Sequence, residues 1–168
     1  MTYRITVVCL GNICRSPIGE VVLIDRVEKA GLANRVEIDS AGTGDWHVGH
    51  DADPRSVEIL VRHGYDISHT SRQITHEWFE RIDLVLAMDT SNYSNLRALM
   101  HESDAQSELR MLRSFDPALL GVTEPDPELD IPDPYFGGPE GFEQVLTMIE
   151  RAVDGLIREL PARIEAAK

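Results

Sequence analysis

Positive charge is scarce in this chain. Its 168 residues hold 16 Lys and Arg against 29 Asp and Glu, a formal net charge of −13. A duplex nucleic-acid partner is not expected, because affinity for it comes largely from Lys and Arg contacts to phosphates. Any anionic ligand must meet a local positive site that overrides the global field. Aromatic residues make up only 6%, so the core is expected to be Val, Ile, Leu and Ala. No stretch approaches the roughly 20 apolar residues of a membrane span, and a signal segment before the first strand-like run is not expected. The only cysteines, Cys9 and Cys14, sit in one segment, which is not the framework of a disulfide-stapled secreted domain. Two cysteines without a neighbouring His or further Cys also make a poor metal site, and no metal or cofactor is expected. A cytoplasmic monomer without membrane attachment is the simplest expectation.

What is present alternates. Tyr3 to Cys9 (YRITVVC) is β-branched and ends at Gly11-Asn12, a turn signal. From Ser16-Pro17, apolar Ile18, Val21, Val22 and Val27 recur at helical spacing up to Gly31. Val36 to Ser40 reads as a second strand, 41–53 as a Gly-rich loop carrying Trp46 and His47, and Pro54 to His63 as a helix. Ile82 to Met88 reads as a third strand, Asn92 to Ser103 as a helix, and Leu109 to Leu112 as a short fourth strand. A Pro- and Asp-rich loop follows over 113–141. Val145, Met148, Ile149, Ala152, Val153, Leu156, Ile157 and Leu160 then mark one face of a long helix. This order predicts one α/β domain over 1–168, with a four-stranded parallel sheet and helices on both faces. The long loop exceeds a mere connector and is a candidate functional element.

The segment CLGNICRS, Cys9 to Ser16, lies at the end of the first strand and the start of the first helix, where parallel α/β folds bind ligands. A helix start supplies free N–H groups and a positive dipole end. The backbone from Leu10 through Gly11, Asn12, Ile13 and Cys14 to Arg15 and Ser16 can curl into an anion nest. Gly11 and Asn12 tolerate the left-handed angles that this requires. A thiol attacks as thiolate, and this environment favours the anion at Cys9. Arg15 can grip two phosphoryl oxygens with its fork, which Lys cannot. Ser16 can donate to the sulfur and ease its departure. The lysine of a nucleotide-binding Gly-rich loop is absent. Cys14 either packs in the helix start or traps an oxidised Cys9 as a disulfide.

Ester cleavage also requires a proton for the leaving oxygen. The candidate is Asp133 in DIPDPYFGG, 130–138, stiffened by Pro132 and Pro134. Burial beside Tyr135 and Phe136 is expected to favour its protonated form. Asp130, Asp116-Pro117 and Asp126-Pro127 are comparable turn formers, so physics alone leaves this choice open.

Over nearly its whole length the chain resembles the low-molecular-weight protein tyrosine phosphatases. CLGNICRSP matches their phosphate loop and DPYF their general-acid loop, while DSAGT, SHTSRQIT (68–75) and LAMDxSN (86–92) also fit. The resemblance implies hydrolysis of phosphotyrosine in proteins through a phosphocysteine on Cys9. It gives Arg15 the phosphoryl oxygens and Asp133 the proton transfers. It implies a network of Asn12, Ser16, Ser40 and His69 holding the loop. Ile13, Trp46, His47, Tyr135 and Phe136 would clasp the phenyl ring. Phe136 stands where some members carry a second tyrosine, so a phosphorylatable hydroxyl is missing there.

Three alternatives share the phosphate loop. Arsenate reductases need further cysteines, and this chain has none after Cys14. Phosphoarginine phosphatases typically have Thr where this chain has Ile13, whose apolar side chain suits an aromatic leaving group. A non-catalytic phosphate-binding module would need neither the thiol nor the acid.

Overall fold

The computed structural model describes residues 2–168. Its sheet contains β1 (Tyr3–Cys9), β2 (Val36–Gly42), β3 (Leu84–Ala87) and β4 (Glu108–Met111), all parallel in the order β2-β1-β3-β4. The central strand β1 is buried at every position except Arg4. That explains its near-continuous apolar sequence, since a parallel sheet is covered on both faces. On one face pack α1 (Arg15–Lys29), α2 (Pro54–Arg62) and α4 (Pro139–Ala166), burying Ile5, Val7, Leu84 and Leu86 against Ile18, Val22, Leu60, Ile149 and Val153. On the other face α3 (Thr90–Met100) and a 3-10 turn over His76–Glu80 cover Val8, Val85 and Ala87 with Leu96 and Phe79.

The helix starts are specified locally. Asp53 caps α2, accepting from the Arg55 N–H at 2.9 Å, with Pro54 in the first turn. Asp89 caps α3 by accepting from the Asn92 N–H at 2.7 Å. The third strand is shorter than its apolar run, because Ile82 and Asp83 lie in the turn that enters it.

Two sequence expectations need adjustment. The stretch after β4 is not one bare loop. It forms 3-10 turns at Leu112–Phe115, Pro117–Leu119 and Pro127–Leu129, and the latter two are started by Asp116 and Asp126 capping their own backbone. The last helix also begins earlier, at Pro139, and runs past Pro161 to Ala166. Leu160 and Ile164 both stay buried on its apolar stripe, so packing carries the helix through a residue that removes one hydrogen bond. No helix among the described residues is long and apolar enough to cross a membrane.

Candidate active site

The site forms where β1 turns into α1. Between Cys9 and Arg15 the chain makes one tight loop, and Asn12 at its apex has φ 57°, a left-handed angle that Asn tolerates better than most residues. Asn12 is fully buried and all its polar side-chain atoms are used. Its amide donates to Ser16 Oγ at 2.8 Å and Ser40 Oγ at 3.0 Å, and its Oδ1 accepts from the Arg72 N–H at 2.9 Å. Its carbonyl accepts from His69 Nε2 at 2.6 Å and Ser71 Oγ at 2.8 Å. A carbonyl cannot donate, so His69 must carry its proton on Nε2 here. Burial lowers the His69 pKa, and the Asn12 carbonyl works in the opposite direction. Asn12, Ser16, Ser40 and His69 thus meet in one hydrogen-bond network.

These bonds orient the groups that face the cleft. Ser16 Oγ accepts from Asn12, so its own proton is free for Cys9 Sγ, 3.0 Å away. Among the described residues, the backbone N–H groups of Gly11 to Cys14 donate to no protein acceptor, which leaves them available to an anion. The carbonyls are turned outward: Ile13 O accepts from the Asp53 N–H at 2.8 Å and Cys14 O from Ser56 Oγ at 3.3 Å. Gly42 lets the loop pass, since a Cβ there would stand 2.7 Å from Leu10 O.

Arg15 is 2% exposed. One terminal nitrogen donates to Asp89 Oδ2 at 2.7 Å and to Ile131 O at 2.8 Å. The other lies 3.7 Å from Asp133 Oδ2. Burial alone would lower the Arg15 pKa, but Cys9 and the Asp89 carboxylate outweigh it and the net shift is upward. With one nitrogen fixed by Asp89, the edge formed by Nε and the second nitrogen remains to grip two anion oxygens. Cys14 faces the opposite environment: burial, then Asp53 and Cys9, push its thiol up to about 12, so at neutral pH it is not a thiolate.

A cleft of about 230 Å³ brings Cys9, Arg15 and Asp133 together, with Ile13, Trp46, His47, Tyr135 and Phe136 on its walls. The Trp46 indole lies against Gly44, where a Cβ would be 2.0 Å from the ring. Trp46 is 67% exposed, so it serves as a wall and not as core. His47 and Tyr135 face each other with centroids 6.3 Å apart.

Asp133 corrects one expectation. Its side chain is 40% exposed, not buried between aromatics. Phe136 turns away to 94% exposure and packs edge-on against Tyr135, 4.9 Å between centroids. Asp133 is instead oriented by the Tyr135 N–H, which donates to its Oδ1 at 3.0 Å. Asp130, the neighbouring alternative, is engaged elsewhere and accepts from the Thr90 N–H at 2.8 Å.

Sequence reasoning missed several members of the site. Asp89 lies in a quoted motif, yet nothing local signals that it reaches Arg15. Ser71 and Arg72 support Asn12 from a segment with no regular structure. Glu20, on α1 behind the loop, is held by burial, with Asp39 adding to the effect and Arg72 and Ser40 opposing it, at a pKa of about 7.

A family model described as low molecular weight phosphotyrosine protein phosphatase matches residues 4–166. A low molecular weight protein-tyrosine-phosphatase of Streptomyces coelicolor is 48% identical over 165 residues, covering 98% of each chain. Among solved structures, a protein tyrosine phosphatase from Entamoeba histolytica matches with a TM-score of 0.84 at 31% identity, covering 96% of this chain and 98% of its own. The Drosophila arginine phosphatase DARP matches with a TM-score of 0.83 at 29% identity, covering 95% and 98%.

Proposed function

Because the chain belongs to the low molecular weight phosphotyrosine protein phosphatase family, we propose that it hydrolyses phosphotyrosine in proteins with Cys9 as nucleophile, Arg15 as phosphate clamp and Asp133 as general acid and base. The observation that carries this reading is the convergence of a buried thiol, a buried guanidinium and a half-exposed carboxyl on one cleft. The phosphoryl oxygens sit among the free N–H groups of the loop and the open edge of Arg15. The Cys9 sulfur attacks phosphorus as the bond to the tyrosine oxygen breaks, and the Asp133 proton goes to that oxygen. A water then attacks phosphorus, its proton passes to Asp133, and the sulfur leaves with the Ser16 hydroxyl donating to it. The developing charge meets fixed donors at each stage, which is the main source of rate in such sites.

Ile13 and the aromatic walls favour a phenolic substrate. Cytoplasmic action is part of the same reading, supported by a cysteine content of two residues in one segment, which is not the framework of a disulfide-stapled secreted domain. The test compares phosphotyrosine and phosphoarginine peptides of one sequence. A kcat/KM preference for phosphotyrosine, abolished in Cys9→Ser, is expected; a preference for phosphoarginine overturns the substrate assignment.

A further inference from the structure

The segment that carries Asp133 is tethered unevenly. Upstream it is fixed to the core: the Ile131 N–H donates to Met88 O at 2.8 Å, Ile131 O accepts from Arg15, and Asp130 accepts from the Thr90 N–H at 2.8 Å. From Pro132 to Gly138 the chain leaves that support, with Gly137 and Gly138 before α4 to loosen it. Apart from the 3.7 Å pair with Arg15 and the Gly138 carbonyl, which accepts from the Gly141 N–H at 3.1 Å as α4 begins, this stretch is linked to the rest of the described molecule by Arg55, whose terminal nitrogen donates to Gly137 O at 3.4 Å.

Arg55 is itself rigidly held. Its Nε and one terminal nitrogen grip both oxygens of Asp53 at 3.0 Å each. Asp53 in turn donates its N–H to Ile13 O in the phosphate loop. The flat guanidinium lies over the Phe142 ring at 4.7 Å and against Tyr135 at 5.5 Å, a geometry in which a cation is attracted to both rings. Tyr135 is the residue whose N–H aims Asp133. Phosphate loop, Asp53, Arg55, Tyr135 and Asp133 therefore form one chain of contacts.

We propose that Arg55 is a positioning residue for the proton donor, fixing Asp133 relative to the phosphate loop by holding Tyr135 and Gly137 against the Asp53-anchored guanidinium. The inference rests on the assignment of Asp133 as general acid. Arg55 is not among the residues that line the cleft. Lys cannot replace it, because a single ammonium gives neither the two-pronged grip on Asp53 nor a flat face for the rings. The plain alternative is that Arg55 only strengthens the start of α2 through Asp53.

The two roles separate by leaving group. A poor leaving group such as phenolate needs the proton, whereas 2,4-dinitrophenolate departs without it. The measurement is kcat/KM for phenyl phosphate and for 2,4-dinitrophenyl phosphate in the parent, Arg55→Leu, Arg55→Lys, Asp133→Asn and the Arg55→Leu/Asp133→Asn double variant. Taking the ratio of the two substrates on one preparation cancels any loss of folded enzyme. General acids contribute roughly 10²–10⁴, so Arg55→Leu is expected to lower that ratio about tenfold, with Arg55→Lys close behind. In the Asp133→Asn background, Arg55→Leu should lower it no further. An equal loss on both substrates, or a full further loss of the ratio in the double variant, overturns the proposal. If Asp133→Asn itself leaves the ratio unchanged, the assignment of the acid fails instead and the proposal falls with it.

Discussion

Replacing Asn12 separates two things that the residue does at once. Its side chain makes three hydrogen bonds, to Ser16, Ser40 and the Arg72 N–H, and its backbone holds φ 57°. Each buried hydrogen bond contributes about 1 kcal/mol net, so removing the amide costs roughly 3 kcal/mol in either Asn12→Ala or Asn12→Gly. The left-handed angle costs a non-glycine residue about 1–2 kcal/mol, a penalty that Ala bears and Gly avoids. Asn12→Ala should therefore lose roughly 4 kcal/mol and Asn12→Gly about 1 kcal/mol less. Both remain folded if the parent has the usual 5–15 kcal/mol. Urea unfolding followed by circular dichroism measures the stabilities. Activity should not follow the same order. Both variants free Ser16 from its partner, and a displaced positioning group typically costs on the order of 10² in rate. Asn12→Gly matching the parent in kcat/KM, or Asn12→Ala unfolding later than Asn12→Gly, would refute the reasoning.

The other predictions test neighbouring parts of the site. Glu20 has a folded pKa of about 7, raised by burial from 4.5. Its favourable neutral form is complete below pH 4.5 and is lost as pH rises through 7, so the parent should weaken relative to Glu20→Gln across that window. The gap should reach on the order of 2–3 kcal/mol by pH 8, read by urea unfolding at pH 5 and pH 8; a constant gap contradicts the burial argument. Ser16→Ala removes the hydroxyl facing Cys9 Sγ and should slow breakdown of the phosphoenzyme more than its formation, seen as a larger burst of p-nitrophenol in stopped flow. Equal slowing of both phases would count against that role. Gly44→Ala should push the indole off its seat and raise KM for phosphotyrosine peptides by about tenfold, the scale of one modest apolar contact; an unchanged KM would remove Trp46 from the binding wall.

Much of this molecule can be read from its sequence. Strand β1 agrees to the residue because a β-branched run met an unambiguous turn at Gly11-Asn12. The loop that brings Cys9 and Arg15 to one cleft was legible because the two residues are close in sequence, between a strand and a helix. Asp89 was not, since it lies 74 residues from Arg15 and its local signature is that of an ordinary helix cap. Asp53 and Arg55 drew no notice for the same reason, lying at the start of an ordinary helix. The misjudged burial of Asp133 has a different origin. Adjacency to Tyr135 and Phe136 in sequence does not oblige their rings to cover it, and the turn after Pro134 sends Phe136 outward. The helix beyond Pro161 was hidden because local propensity argued against it while tertiary packing decided for it.

The central claim is that phosphate passes through a covalent bond to Cys9. The direct measurement is rapid acid quench of Asp133→Asn during turnover of p-nitrophenyl phosphate, followed by peptide mass spectrometry. A phosphoryl adduct is expected on the peptide containing Cys9, mapped to its sulfur and absent from Cys9→Ala. Phosphate release at an undiminished rate from Cys9→Ala, with no adduct on the peptide containing Cys9 in Asp133→Asn, would contradict it.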